Sequence, residues 1–295
     1  YMNIYDKITI IIVSYNSEKL ISKNIEILKK FPTIIVNNSK SNKLNNIIKE
    51  FKNIKLITPG KNLGYGKGNN LGVSYSSTQF ILIINPDVIL DEKSILELYT
   101  TFLQNKSNAG ILGPSLYDLK MIRRTNGSIS YIKKIKGKKL LNTKNNLPED
   151  NICCEFLVGC CFLMERDFFN QLGGFDENFF MYFEDNDLCD RTIQNGKVIM
   201  EIPSSRFIHL ENSSSKKKFF QSIKMSLIHK ISSYIYLNKN LGYKSFLFHI
   251  FKNFLDYFQR FLVNLLLLRF KKSFKNFLRI ISIFLYLSHI YKLMY

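Results

Sequence analysis

The chain has 295 residues, of which 46% are apolar, and a formal net charge of +19. This length and apolar content suit one large or two modest domains with a buried core, and they exclude a disordered chain. The five cysteines lack the C-x-x-C spacing of a metal site and the even count of a disulfide scaffold, so we expect a reducing compartment. The first apolar run, "ITIIIV", is too short for a signal peptide, and no leader is expected.

Short β-rich runs alternate with helical segments over the first ninety residues. Strands are predicted at residues 7–15, 33–38, 54–58 and 79–88, the last of them ending in a turn. Helices are predicted at 17–30 and 44–51, and a Gly- and Asn-rich loop leads into a third helix at 62–77. The first strand is almost continuous Ile and Val, which is typical of a strand covered on both faces. This order predicts a Rossmann-like α/β fold with a mostly parallel sheet and helices on both faces.

Polar side chains follow three of the predicted strands. They are Ser14, Tyr15 and Asn16 after the first, Asn37, Asn38 and Ser39 after the second, and Asn85 with Asp87 after the fourth. Ligands of parallel α/β sheets bind beyond the carboxyl ends of the strands, so these residues are candidates for a binding site.

Two local features each admit a functional and a structural interpretation. Asp87 in "NPD" is either a ligand for a hard cation or an ordinary turn residue. The glycines from Gly64 onward do not fit the G-x-G-x-x-G pattern, and they indicate either a backbone that approaches a phosphate or a flexible turn before a helix.

Four acidic residues lie close together in "EDNDLCDR", where they begin a predicted helix that ends near Gly196. Acids in a first turn stabilise a helix without any catalysis, and this interpretation suits Asp187 and Asp190. Helical spacing allows Arg191 to pair with Asp187 or with Glu184. Asp185 lies at the start of the helix, where its carboxylate can point into a cleft.

The charge is concentrated in the last 80 residues. From residue 216 onward there are fifteen Lys or Arg and one Asp, so this region carries +14 of the +19. Phe and Leu recur at helical spacing over residues 251–262 and 270–281, which predicts two amphipathic helices. No segment here has the roughly 18 uncharged apolar residues of a membrane span.

Basic helices rich in Phe and Leu fit the surface of an anionic membrane. The alternatives are a helical subdomain packed on the core and a nucleic-acid-binding region. The aromatic residues are Phe on the apolar face, so we expect no nucleic acid. We predict two domains, an enzyme-like α/β domain at 1–215 and a membrane-associating helical region at 216–295.

Motifs along residues 7–215 resemble the inverting family 2 glycosyltransferases of the GT-A fold, and within them the bacterial rhamnosyltransferase-like branch. They are "IIVSYNS", "NLGYGKGNN", "INPDV", "ILGPSLYD", "VGCCFLMERDFFNQLGGFDENFFMYFEDNDLCDRTIQNGK" and "PSSRFIHLENSSS". Each short motif is weak by itself. The long fifth block, followed by the His, makes the resemblance specific.

The resemblance implies roles for particular residues. The nucleotide-sugar donor would contact Ser14, Tyr15, Asn16, Asn37, Asn62, Gly64 and Asn85. Asn37 stands where the family usually has Asp, which leaves the identity of the base open. Asp87 and His209 would hold Mg²⁺ or Mn²⁺, and the E-D pair, Glu184 and Asp185, would supply the general base, which we assign to Asp185.

The resemblance also implies an activity. The enzyme would move one sugar with inversion, rhamnose from dTDP-rhamnose, to a lipid-linked or cell-surface saccharide acceptor at the inner face of a bacterial cell membrane. A UDP donor of galactofuranose, glucose or N-acetylhexosamine is the alternative within the fold. A basic nucleic-acid-binding protein and an inactive relative are the alternatives outside it, and the oligomeric state stays open.

Overall fold

A computed structural model describes residues 4–124, 126–135, 137, 149–210 and 219–291. The chain divides into two compact units, one of Tyr1–Glu177 with Glu184–Ser215 and one of Asn178–Phe183 with Lys216–Tyr295. The predicted boundary between residues 215 and 216 lies outside the described residues and stays a prediction. The segment Asn178–Phe183, which precedes the acidic helix, belongs to the second unit rather than the first.

The strands all belong to the first unit. In chain order they are β1 (Ile8–Ser14), β2 (Thr33–Asn37), β3 (Ile54–Ile57), β4 (Phe80–Ile84), β5 (Val88–Ile89), β6 (Ala109–Tyr117), β7 (Arg123–Arg124), β8 (Gly127–Ser128), β9 (Ile152–Cys154), β10 (Phe156–Leu157), β11 (Cys161–Glu165) and β12 (Val198–His209).

The helices are divided between the two units. The first unit contains α1 (Glu18–Ile21), α2 (Ile25–Leu28), α3 (Lys43–Ile48), α4 (Tyr65–Ser74), α5 (Glu92–Gln104), α6 (Tyr131–Ile135), α7 (Arg166–Gln171) and α8 (Glu184–Gln194), with 3-10 turns at Ile4–Lys7 and Ser22–Asn24. The second contains α9 (Phe219–Leu241), α10 (Tyr243–Leu266) and α11 (Phe270–Leu287).

One mixed sheet forms the centre of the first unit, with strand order β3-β2-β1-β4-β11-β6-β12-β5. The four strands β3, β2, β1 and β4 are mutually parallel, as the sequence predicts. β11 is antiparallel to β4 and to β6, and β12 runs parallel to β6. The mostly parallel α/β class is therefore confirmed, with an antiparallel strand in the middle that the sequence does not predict.

The strand predicted within residues 79–88, ending in a turn, is confirmed, because β4 ends at Ile84 and a turn follows it. The amide of Asn85 donates to the Cys160 carbonyl at 2.9 Å, and the amide of Val88 donates to the Asn85 carbonyl at 3.2 Å. Val88 then pairs with β12. The turn that carries Asp87 therefore connects β4 to β5 at the other end of the same sheet.

The core lies on both faces of the sheet. Alternate residues of β1 point to opposite sides, so Ile10 and Ile12 pack in one apolar cluster and Ile11 in the other. Buried residues of α1, α2, α3 and α5 complete the first cluster, and those of α4, α7 and α8 complete the second. Helices on both faces explain why β4 is apolar throughout and β1 almost so.

The second unit is helical, and α10 and α11 confirm the two predicted amphipathic segments. Its buried residues include Tyr234 and Tyr236 of α9, Phe246 of α10 and Ile283 of α11. Among the described helices, none combines the length and the hydropathy that crossing a bilayer requires.

The glycines of α4 allow the helix to lie close to β1. A Cβ at Gly72 would lie 2.6 Å from Cγ2 of Ile11, and one at Gly68 would lie 3.0 Å from both Cγ atoms of Val13. The glycine-rich sequence therefore serves helix packing along most of its length, in addition to any role at the helix start.

Replacing Gly72 with Ala should lower the free energy of unfolding. Alanine gains about 1 kcal/mol of helix propensity over glycine, but overpacking a rigid core costs about 1–3 kcal/mol. Because Ile11 is a fully buried strand residue, the clash should prevail. Urea denaturation measures the difference, with Ser74→Ala on the exposed side of α4 as the matched control. An unchanged or higher urea midpoint for Gly72→Ala would show that the close packing of α4 on β1 does not require glycine at this position.

Candidate active site

The carboxyl ends of β1, β2, β4 and β12 meet at one edge of the sheet. β1 runs parallel to β2 and to β4, and β12 runs parallel to β6, which like β4 is antiparallel to β11. This edge carries the predicted strand-end residues. Ser14 and Asn37 lie opposite each other in the β1–β2 register.

Asp185 is fixed at the start of α8 by three hydrogen bonds. Its Oδ2 accepts from the Gly159 amide at 3.0 Å, and its Oδ1 accepts from the Asn186 amide at 2.9 Å and side chain at 3.1 Å. Burial raises the pKa of the Asp185 carboxyl, and these hydrogen bonds act in the opposite direction. The carboxylate is therefore held rigidly, and it binds a proton more readily than an exposed aspartate does.

Gly159 permits this geometry because it has no side chain. A Cβ at this position would lie 2.8 Å from Cβ of Asp185. The Gly159 carbonyl accepts a short hydrogen bond from the Tyr65 hydroxyl at the start of α4. Burial, followed by the neighbouring Glu184 charge, raises the pKa of Tyr65 far above its usual range, so the phenol stays protonated and donates.

Glu184, the other member of the E-D pair, is 4% exposed and faces the first turn of α4. Its Cβ would lie 3.5 Å from a Cβ at Gly66. Glu184 thus lies beside the first turn of α4, whereas the Asp185 carboxylate accepts from the Gly159 amide.

The structure decides between the two partners predicted for Arg191. Its Nε donates to Asp187 at 2.8 Å, and its Nη1 donates to the Leu172 carbonyl at 2.7 Å. Asp187 is buried in this ion pair, which supports the structural role that the sequence assigns to it. Gly196 adopts φ +75° just past α8 and ends the helix as predicted.

Asp87 and His209 lie side by side, although 122 positions separate them in the sequence. The Asp87 Oδ1 and His209 Nε2 atoms are 3.4 Å apart, and both side chains are partly exposed. β12 brings them together, because its residue His209 pairs with Val88 and the Leu210 amide donates to the Asp87 carbonyl at 2.8 Å. One carboxylate and one imidazole provide two donors of the kind that bind divalent cations.

Within the part of the chain that the structure describes, no three His, Cys, Asp or Glu side chains converge into a metal site. Asp87 and His209 are therefore a candidate pair of cation ligands rather than a complete protein site.

Cys160 joins the two halves of the site through its backbone. Its carbonyl accepts from Asn85, next to Asp87, while its neighbour Gly159 contacts Asp185. The Asn85 turn and the start of α8 are therefore both tied to the chain just before β11.

The amide of Asn37 has local partners. Its Oδ1 accepts from the amide and the hydroxyl of Ser39 at 3.1 and 2.6 Å, and its Nδ2 donates to the Ser41 carbonyl at 2.8 Å. Aspartate could not make the last bond. Asn37 is therefore suited to closing this turn, and its contact with a nucleotide base stays a prediction.

Other residues predicted to contact the nucleotide-sugar donor lie at the end of β1 and before α4. Ser14 is buried at the end of β1, Tyr15 is half exposed, and Asn16 has φ +52°. Asn62 Oδ1 accepts from the Gly64 amide at 2.9 Å, which shapes the approach to α4. The structure thus places these residues in the loops that follow β1 and precede α4.

Two further asparagines shape the site. Asn38, one of the polar residues predicted after the second strand, donates to the Gly64 carbonyl at 2.9 Å and so ties the end of β2 to the glycine loop. Asn24, which the sequence does not single out, is buried and binds the backbone of Val88 and Leu90 at 2.7 and 2.9 Å, which holds the chain just after Asp87. A buried Asn between a lysine and an isoleucine carries no sequence signal.

The geometry agrees with what sequence comparison finds. The profile described as "Glycosyl transferase family 2" matches residues 9–173, and one described as "N-terminal domain of galactosyltransferase" matches residues 149–213. The chain belongs to glycosyl transferase family 2.

Characterised relatives are glycosyltransferases as well. The chain is 27% identical over 269 residues to rhamnosyltransferase WbbL of Escherichia coli, covering 81% of this chain and 98% of the relative. It is 30% identical to the low-salt glycan biosynthesis hexosyltransferase Agl10 of Haloferax volcanii, over 63% of this chain and 61% of that protein. It is 27% identical to N-acetylglucosaminyl-diphospho-decaprenol L-rhamnosyltransferase of Mycobacterium tuberculosis, over 64% of this chain and 68% of that protein.

Solved structures share the GT-A fold at low identity. GalNAc-T7, crystallised with UDP, GalNAc and Mn²⁺, superposes with a TM-score of 0.56 at 13% identity, over 76% of this chain and 48% of that one. The mannosyltransferase PcManGT of Pyrobaculum calidifontis, in complex with GDP-Man and Mn²⁺, gives 0.54 at 12% identity, over 77% and 64%. The predicted fold is confirmed.

Replacing Gly159 with Ala should reduce turnover far more than it reduces stability. The added methyl group would displace the Asp185 carboxylate, and a misplacement of about 1 Å in a reacting group can cost about 10²-fold in rate. Nucleoside diphosphate release measures turnover, and thermal denaturation measures the fold. Val158→Ala, which alters the neighbouring half-exposed side chain and retains the Gly159 amide, is the control. Equal loss of activity in both variants would contradict the role of Gly159.

Proposed function

We propose that this chain is an inverting hexosyltransferase in which Asp185 is the general base. The acceptor hydroxyl oxygen bonds to the anomeric carbon while the bond from that carbon to the diphosphate oxygen breaks. The hydroxyl proton passes to Asp185, and the electron pair leaves with the nucleoside diphosphate. The observation that carries the proposal is the fixed position of Asp185 at the carboxyl edge of the sheet, together with the raised pKa of its carboxyl.

Asp87 and His209 would hold a divalent cation, Mg²⁺ or Mn²⁺, and the solved neighbours that contain Mn²⁺ support this choice. Such a cation, when bound, neutralises charge on the leaving diphosphate. Among the described residues, Asp87 and His209 would provide one carboxylate and one imidazole ligand, and the diphosphate of the nucleotide sugar would provide further ligands.

We propose rhamnose as the transferred sugar, from dTDP-rhamnose, and a lipid-linked saccharide as the acceptor. Two of the relatives are named rhamnosyltransferases, and the mycobacterial one is named for a diphospho-decaprenol acceptor. A thermal-shift screen of dTDP-rhamnose against UDP-galactofuranose, UDP-glucose and UDP-N-acetylhexosamines, each with Mn²⁺, tests the donor. The largest shift should come from dTDP-rhamnose, because binding to the folded state alone raises the melting temperature. A larger shift with a UDP-sugar would contradict dTDP-rhamnose as the donor.

We further propose that the region from residue 216 holds the enzyme on the inner face of the cell membrane. Its charge of +14 matches an anionic leaflet, where each Lys or Arg near the surface contributes about 1 kcal/mol. A lipid-linked acceptor would then be presented at the same surface.

The variant Asp185→Asn should lose about 10²- to 10⁴-fold in turnover, the contribution of general base catalysis. The amide has nearly the same shape as the carboxylate, so donor binding by thermal shift should persist. Asp187→Asn is the informative comparison, because it breaks the Arg191 ion pair and should lower stability more than chemistry. Full turnover in Asp185→Asn would contradict the proposal that Asp185 is the general base.

The pH profile follows from the direction of the Asp185 shift. The base acts as a carboxylate, so kcat/KM should fall as pH falls through its pKa. Since burial raises that pKa, the acidic limb should lie above the ordinary aspartate value of about 3.9. Stability must be recorded at each pH, so that acid unfolding is not mistaken for this limb. A stable protein with flat kcat/KM down to pH 4 would contradict the assignment.

Removing the Asp87 carboxylate should weaken the response of the activity to divalent cations. EDTA should inactivate the wild type reversibly, and Asp87→Asn should need at least about tenfold more Mn²⁺ for half-maximal activity, because one of two protein ligands is lost. Asp167→Asn, at a carboxylate that is 87% exposed on α7, is the control. Wild-type activity that persists in EDTA would contradict a metal at this site.

A further inference from the structure

The α10–α11 hairpin exposes many large apolar side chains and buries several small polar ones. Ser273, Asn276 and Ser282 of α11 are buried, beside apolar residues such as Ile280 and Ile283. At the turn between the helices, Leu266 is 82% and Leu268 73% exposed. A hairpin surrounded by water is expected to cover such leucines.

One hydrogen bond and two ring contacts join α10 to α11, and none of them involves Leu266 or Leu268. The Ser273 hydroxyl donates across the hairpin to the Phe261 carbonyl at 3.1 Å. The rings of Phe261 and Phe277 lie 6.0 Å apart, and those of Phe254 and Phe284 lie 6.2 Å apart. Small polar residues between helices, with large apolar residues outward, are typical of helices packed in lipid.

The exposed apolar residues are continuous around the turn. Eight of them lie within residues 262–274, and they are Leu262, Val263, Leu265, Leu266, Leu267, Leu268, Phe270 and Phe274. A patch of this kind marks an interaction surface rather than ordinary surface scatter.

The charged side chains of the turn itself are all positive. Arg269, Lys271, Lys272 and Lys275 are exposed, Arg260 pairs with Asp256 at 2.8 Å, and the sequence contains no Asp or Glu after Asp256. Cations beside a continuous apolar patch match acidic headgroups above an acyl layer. An acidic protein partner would match the cations but would leave the leucines against polar groups.

We propose that the α10–α11 turn, residues 262–274, inserts into the acyl layer of an anionic membrane from one side. The nearby Lys and Arg side chains remain at the level of the headgroups. This inference deepens the proposed membrane-facing role of the tail and depends on it. It identifies residues 262–274 as the segment that enters the bilayer. It also predicts that high salt alone does not release the protein from the membrane.

A tryptophan reporter tests the insertion directly, because the chain contains no Trp. The full-length variant Leu266→Trp is mixed with phosphatidylcholine–phosphatidylglycerol vesicles whose acyl chains carry bromine. Its emission should shift to the blue and fall by at least about half, as expected for an indole within the acyl layer. Leu119→Trp, at a leucine that is 76% exposed in the first unit, is the control and should show neither change.

A second pair of variants tests the energetics. Each of Leu266→Ser and Leu268→Ser should weaken vesicle partitioning about tenfold, since each removes a side chain that the bilayer would bury. Leu119→Ser should leave partitioning unchanged, and these surface changes should leave the melting temperature intact. Wild-type binding should also survive about 1 M NaCl, which screens surface charges.

Three results would overturn the proposal. Vesicle binding without quenching of Leu266→Trp would show adsorption by charge alone. Absence of vesicle binding would refute the membrane surface itself. A blue shift that depends on protein concentration without vesicles would assign the patch to a second copy of the chain. Nucleotide-sugar binding, measured on the same variants, separates these failures from a failure of the proposed transferase activity.

Discussion

The contact between Gly159 and Asp185 is the constraint on which the site depends. The backbone amide of Gly159 holds the carboxylate, and the absence of a Cβ lets α8 start close to the chain before β11. The same backbone segment is held by Tyr65 on one side and by Asn85 on the other. One loop therefore fixes Asp185 relative to the turn that carries Asp87, and a rigid arrangement of this kind is what catalysis by positioning requires.

The residues that lead into α8 belong to the second unit. Tyr182 and Phe183 both have positive φ, near +70°, which costs about 1–3 kcal/mol each for residues other than glycine. Their rings pack against His229 of α9 at 5.0 and 5.4 Å, so packing within the second unit offsets the strain. Glu184 follows at once as the first residue of α8, so the helix that carries Asp185 begins directly after a strained turn.

Sequence reasoning works best where one pattern repeats locally. Continuous Ile and Val in β1, the βα alternation, the end of α8 at Gly196 and the amphipathic tail all follow from periodicity and turn chemistry. The antiparallel insertion of β11 depends on contacts between distant segments, and so does the pairing of Asp87 with His209, which the sequence reaches only through family resemblance. The exposure of Leu266 cannot be predicted either, since an apolar stripe looks the same whether it faces a core or a bilayer.

The central claim is that the acceptor, activated at Asp185, displaces the nucleoside diphosphate in a single step. The anomeric configuration of the product tests this claim most directly. Full-length protein, dTDP-rhamnose and an N-acetylglucosaminyl-diphospho-lipid acceptor would be incubated with Mn²⁺, and NMR of the disaccharide would report the new linkage. We predict one product whose anomeric configuration is inverted relative to the donor. Retention of configuration would contradict the account, because retention requires either two displacements or attack from the side of the leaving group.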